Sequence, residues 1–136
     1  MVVVTQEKTS NRAVVRARGR ALGWVSLGLG AAQVFAPGAV RRLSGVDDSD
    51  TSRVVVPLVG ARELVHAAGL LGSKRTGAWV WTRVVGDAID LTGLAVAMGN
   101  RGGGRRRRVA VALGAVAMIA AADLATALRA RKPLPR

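Results

Sequence analysis

Cysteine and tyrosine are absent from this chain. Without a thiol there is no disulfide, no thiolate nucleophile, no iron–sulfur cluster and no zinc knuckle. Aromatic residues amount to only 3%, although half of the 136 residues are hydrophobic. A soluble core of this size leans on Phe, Tyr and Leu; here Ala, Val and 17 Gly fill the apolar positions. Small residues let helices approach closely, which is how helices associate where no hydrophobic effect drives them together. Acids are scarce as well, 8 against 21 Lys and Arg, for a net charge of +13. A nucleic-acid-binding surface would set such charge along one face with aromatics between. Three Trp and one Phe supply few, so nucleic acid is not the expected partner.

The basic residues instead collect between apolar blocks, at 12–20, 41–42, 74–75, 101–108 and 129–136. That distribution suits flanks held at anionic headgroups, each charge worth ~1 kcal/mol of attraction. No shift in composition marks a second domain. The N-terminus does not read as a cleaved signal peptide: its charged leader is long, and Pro37 follows the one small-residue site at Ala36.

Four apolar stretches stand out. Residues 1–19 read as a basic, frayed or interfacial arm, and 21–36 as a first helix ended by Pro37 and Gly38. A polar loop with Asp47, Asp48 and Asp50 leads to a second helix at 54–72, with Pro57 in its first turn. The basic turn at 73–76 predicts an antiparallel hairpin with a third helix at 77–98. An arginine- and glycine-rich loop at 101–108 precedes the fourth helix, 109–128, and 129–136, with Pro133 and Pro135, reads as a basic disordered tail. The expectation is an all-α, four-helix transmembrane bundle occupying 20–128. Trp24, Trp79 and Trp81 fall near the starts of helices one and three, which share one membrane face, so they are candidate interface anchors. With both termini cytoplasmic, the inner segments hold 11 Lys and Arg against 8 in the outer loops. The arginine-rich loop before helix four opposes that orientation.

The apolar stretches are not clean. Helix three carries Arg83, Asp87 and Asp90 on one face, helix two carries Arg62, Glu63 and His66, and helix four carries Asp123. Each Arg or Asp at mid-membrane costs roughly 2.5–3.5 kcal/mol, so helix three alone inserts poorly. Pairing of Arg83 with Asp87, and of Arg62 with Asp90 or Glu63, lets helices two and three insert together. Asp123 joins if its face turns inward. Two guanidiniums against four carboxyls leave two negative charges to be met by protons, by imidazolium at His66 or by a bound cation. Glu63 and His66, three residues apart, have the spacing of bundle di-metal centres, and Asp87 with Asp90 could complete such a set. Arg62 and Arg83 oppose a divalent ion there, so no metal or other cofactor is expected. Ser26 and Gly30 form a small-xxx-small pair. Ser26, Ser44 and Thr82 have no visible base partner, and no phosphate loop or nucleotide fingerprint is present.

Several phrases occur together: Leu22-Gly23-Trp24-Val25-Ser26-Leu27-Gly28-Leu29-Gly30, Ala36-Pro37-Gly38, Gly60-Ala61-Arg62-Glu63, and the run from Trp79 to Leu91 with its Trp-x-Arg-x-x-Gly-Asp-x-x-Asp-Leu pattern. They resemble a family of small actinobacterial membrane proteins, often labelled cyclase/dehydrase-like, over residues 21–123. The resemblance implies a four-helix module of the cytoplasmic membrane with no established activity. Some relatives carry the region ahead of a START-like lipid-binding domain. None is present in these 136 residues, so a START-like partner on another polypeptide is what the resemblance implies. The expected function is a non-enzymatic membrane module that scaffolds or anchors a partner, with homo-oligomerisation open. A proton-linked carrier or membrane enzyme using the buried acids is the alternative, and a soluble basic helical protein a further one.

Overall fold

The computed structural model describes residues 2–99 and 103–131. They form five helices, α1 (Val2–Phe35), α2 (Pro37–Ser44), α3 (Asp50–Gly72), α4 (Thr76–Gly99) and α5 (Gly103–Arg131), with no strand among the described residues. The all-α expectation holds, with one helix more than the periodicity gave. The additional element, α2, arises at Pro37. A residue before proline is sterically driven out of the α region, and Ala36 sits at φ −134°, ψ 48°. Proline then opens the next helix without losing a needed N–H, and the chain resumes at 106° to the helix before it. Gly45 stops α2 in the left-handed region at φ 74°.

The other boundaries also move outward. The arm at 1–19 is no frayed segment where described: α1 is continuous from Val2. The loop expected at 101–108 is helical from Gly103, and the tail is helical to Arg131, its remainder lying outside the described residues. A reciprocal capping box between Ser49 and Ser52 starts α3 at Asp50, so Pro57 lies in the second turn rather than the first. The reciprocal Ser49–Ser52 hydrogen bonds fix that start, a signal hydropathy does not register.

Two helices are long and apolar enough to cross a membrane, Asp50–Gly72 and Gly104–Arg131; the bent pair of α1 and α2 makes a third if counted as one span. α4 has the length but carries Arg83, Asp87 and Asp90. α1 packs most extensively along α3, and α4 along α5, whereas the consecutive α3 and α4 meet over few residues. The α1–α3 contact depends on small residues. A Cβ on Gly30 would lie 2.8 Å from the Gly60 carbonyl oxygen, and one on Gly60 would lie 2.7 Å from the Gln33 Cβ. Gly23 meets Leu70 and Leu71, and Gly19 meets Thr76. Before Gly19, α1 continues alongside the α3–α4 turn, with Val15 buried and Asn11 donating to the Arg129 carbonyl at 3.2 Å.

The molecule is polar inside and apolar outside. Its fully buried large side chains include Arg83, Asp123, Thr126 and Ser26, beside Val80 and Val109. Phe35, Leu43, Val85, Ile89, Val111 and Met118 point outward, Phe35 at 82% exposure and Met118 at 75%. Among the described residues a small apolar cluster of Leu22, Leu70, Val80 and Ala127, flanked by Trp79, Trp81 and Val84, sits between the helices.

Candidate functional site

Buried polar groups from all four long helices converge on the Glu63–Arg83 pair. Glu63 Oε2 accepts from Ser26 Oγ of α1 at 2.7 Å and from Arg83 Nη1 of α4 at 2.8 Å. Its Oε1 accepts from Arg62 Nη2 at 3.0 Å, with His66 Nδ1 3.5 Å away one turn on. Arg83 is 1% exposed; its Nη1 also contacts Ser26 Oγ, and its Nε donates to Asp123 Oδ2 of α5 at 2.9 Å. One guanidinium thus ties three helices to a fourth. Arg is suited to this because its planar fork offers five donors in fixed directions.

A second arm lies nearer the surface. Arg62 Nη2 donates to Asp90 Oδ2 at 2.6 Å, while Nη1 reaches Asp90 Oδ1 and the Gly86 carbonyl, both at 3.4 Å. Gly86 makes the passage possible: a Cβ there would lie 2.9 Å from the Arg62 Cζ. This pair is half-buried, unlike Arg83 with Asp123. His66 stands edge-on to Trp79, ring centroids 6.4 Å apart, and Trp79 lies over Gly69.

All seven residues expected to form a buried network are found together: Arg62, Glu63, His66, Arg83, Asp87, Asp90 and Asp123. Their partners differ from the expectation in one respect. Arg83 does not fold back on Asp87 one turn along its own helix; it reaches across to Glu63 and Asp123. Asp87 instead stands against Asp123, and Asp87 Oδ2 and Asp123 Oδ1 are both buried without a donor. Ser26 was missed as a member. Its signal was available: Gly19, Gly23, Ser26 and Gly30 follow a 4-3-4 spacing along one face of α1.

The metal set of Glu63, His66, Asp87 and Asp90 is not assembled. Among the described residues no three His, Cys, Asp or Glu groups come together as ligands. Arg62 takes Asp90, Asp123 faces Asp87, and guanidiniums cover both oxygens of Glu63, the cations excluding the ion they replace. The three indoles share the end of the molecule at the α3–α4 turn. Arg131 stacks on Trp81 at 4.1 Å, and exposed Trp24 adjoins Gly23 against Leu71. Two clefts, of about 310 and 360 Å³, lie at the ends of the helices, and no network residue lines either.

No protein-family model matches the chain, and no curated protein or solved structure is significantly similar to it.

Proposed function

We propose that the chain is a multi-pass protein of the cytoplasmic membrane, a non-enzymatic module that holds a partner through a helix bundle locked by buried charge. The observation that carries this reading is the inverted distribution of side chains. Arg83 and Asp123 are almost wholly buried while Phe35, Leu43, Val111 and Met118 face outward. In water that arrangement desolvates charge and wets apolar surface, both unfavourable; in hydrocarbon each is reversed. α4 crosses as part of the assembly, its three charges met by α1, α3 and α5, with α3 and α4 as a hairpin in a bundle of four spans. In this arrangement both termini lie in the cytoplasm, which leaves the basic end of α1 available to anionic lipid.

A scaffold reading follows from how the network is used. Each of the two buried guanidiniums is engaged by two carboxylates, and the two clefts at the helix ends are lined by other residues. The partner favoured by the resemblance is a START-like domain on another polypeptide, or a second copy of this chain. Alkaline carbonate extraction tests the membrane reading directly. The protein is expected in the pellet; its appearance in the supernatant rejects the proposal.

A second reading, a proton-linked carrier, is favoured by the unpartnered oxygens of Asp87 and Asp123 alone. The variant Asp87→Asn separates the two readings. A carrier loses pH-linked flux in vesicles at unchanged protein level, whereas a scaffold shows no such flux before or after the change.

A further inference from the structure

Guanidinium groups also converge at the end of the molecule away from the indoles. There α2, the turn at Gly45 and the first turns of α5 enclose the cleft of about 310 Å³, lined by Arg41, Arg42, Arg105 and Arg108 together with Gly45 and Asp48. We propose that this notch binds the phosphate group of an anionic phospholipid. The inference rests on the membrane reading above and adds a defined site to it.

Charge supplies the first argument. Arg41 is held by Asp48 at 3.0 Å and Arg105 by Asp47 at 2.8 Å. Arg42 and Arg108 meet no carboxylate among the described residues; Arg108 Nη1 donates only to the Arg42 carbonyl at 3.1 Å. Arg41 Nε is buried with no acceptor. Two guanidiniums without a counter-charge and an orphaned donor thus line one cavity that a phosphate group would complete. Arg matches phosphate by paired N–H donors, not merely as a point charge.

The backbone is shaped for that convergence. Gly45 turns in the left-handed region, and a Cβ there would lie 2.9 Å from both the Arg105 carbonyl oxygen and the Arg108 Cβ. Any other residue would push α5 away from α2 and open the notch. Asp48 keeps its charge, its carboxyl held below the ordinary value chiefly by the Arg53 hydrogen bond and further by Arg41.

Position identifies a lipid as the source of the phosphate. α2 turns 106° away from α1 and carries exposed Leu43, while Phe35 is exposed just before it. α5 leaves the notch straight into its apolar span, with Val111 exposed one turn beyond Arg108. A phosphate in the notch therefore has apolar surface beside it, where acyl chains lie and a free anion gains nothing.

The test uses the full chain in neutral detergent, titrated with phosphatidylglycerol, phosphatidylcholine or inorganic phosphate, and reads the thermal midpoint. Phosphatidylglycerol is expected to raise it above phosphatidylcholine, with inorganic phosphate inert. The double variant Arg42→Gln/Arg108→Gln should weaken that affinity roughly tenfold for each guanidinium removed, the ratio one charge-assisted hydrogen bond carries. Arg106→Gln/Arg107→Gln removes the same charge from exposed neighbours and should leave the affinity within about twofold. Should the first variant fail to fold, Arg42→Lys/Arg108→Lys carries the test, since it keeps the charge and loses the fork. Equal responses to the two lipids, equal losses in the two double variants, or full stabilisation by inorganic phosphate each overturn the proposal. A chain that stays in the carbonate pellet while showing no lipid preference rejects the notch and leaves the membrane reading standing.

Discussion

Arg83 shows what a single buried cation does in this molecule. It touches Ser26, Glu63 and Asp123 on three other helices, so its removal leaves Asp123 without a cation and Glu63 with Arg62 alone. Breaking a buried pair from one side costs about 3–5 kcal/mol. Arg83→Ala is therefore expected to lower the midpoint of a detergent melt by more than any other single change in the network. Arg83→Lys should recover only part of that loss, because an ammonium cannot span Asp123 and Glu63 together. Asp87 is the converse case, since its Oδ2 has no donor and its neighbour is another carboxyl. Asp87→Asn replaces an acceptor by a donor facing Asp123, and the same melt should show an unchanged or raised midpoint. A fall of the size seen for Arg83→Ala would show that Asp87 is held in a way these contacts do not describe.

At the scale of the helices, close approach and end geometry decide stability. Gly30 faces the Gly60 backbone of α3, whereas Gly28, two residues earlier, has open space around the position of a Cβ. Gly30→Leu should cost about 1–3 kcal/mol through overpacking. Gly28→Leu should cost only a few tenths, because it meets no neighbour; the pair of melts reads the difference. The entry to α3 supplies a pH dependence with a definite sign. Arg53, and less strongly Arg41, holds the Asp48 carboxyl below its ordinary value of 3.8. A group depressed in the folded state contributes stability above its unfolded value and loses it as pH falls through the folded one. Amide exchange in the 45–52 turn should therefore be steady from about pH 7 down to about pH 4 and, corrected for intrinsic rate, faster below. Asp48→Asn should abolish that change.

For the whole molecule, solvent is the deciding quantity, and the absence of cysteine makes it measurable. A single Met118→Cys or Ile89→Cys thiol lies on the outer face, each parent side chain being well exposed. In native membranes either thiol should react with a lipid-soluble maleimide and resist a charged, impermeant one. Rapid labelling by the charged reagent at both positions would place water where lipid is required.

Hydropathy and spacing alone determined much of this molecule: that it is helical, where its long apolar segments lie, and which seven ionisable residues come together between its helices. Those properties are local or additive; a charge every three or four residues on an apolar helix has to face inward whatever it meets. Helix ends were less legible, because the Ser49–Ser52 box and the break at Ala36 act through individual hydrogen bonds and dihedral angles. Partner choice was decided only by tertiary structure. The nearest carboxylate to Arg83 along the chain is Asp87, yet the fold sets α4 against α5 and Glu63 within reach, so the guanidinium crosses helices to Asp123. The notch at Arg42 and Arg108 belongs to the same class. Residues 66 positions apart face one cavity because Gly45 lets two backbones meet, and no periodicity in a sequence records how two helices approach in space.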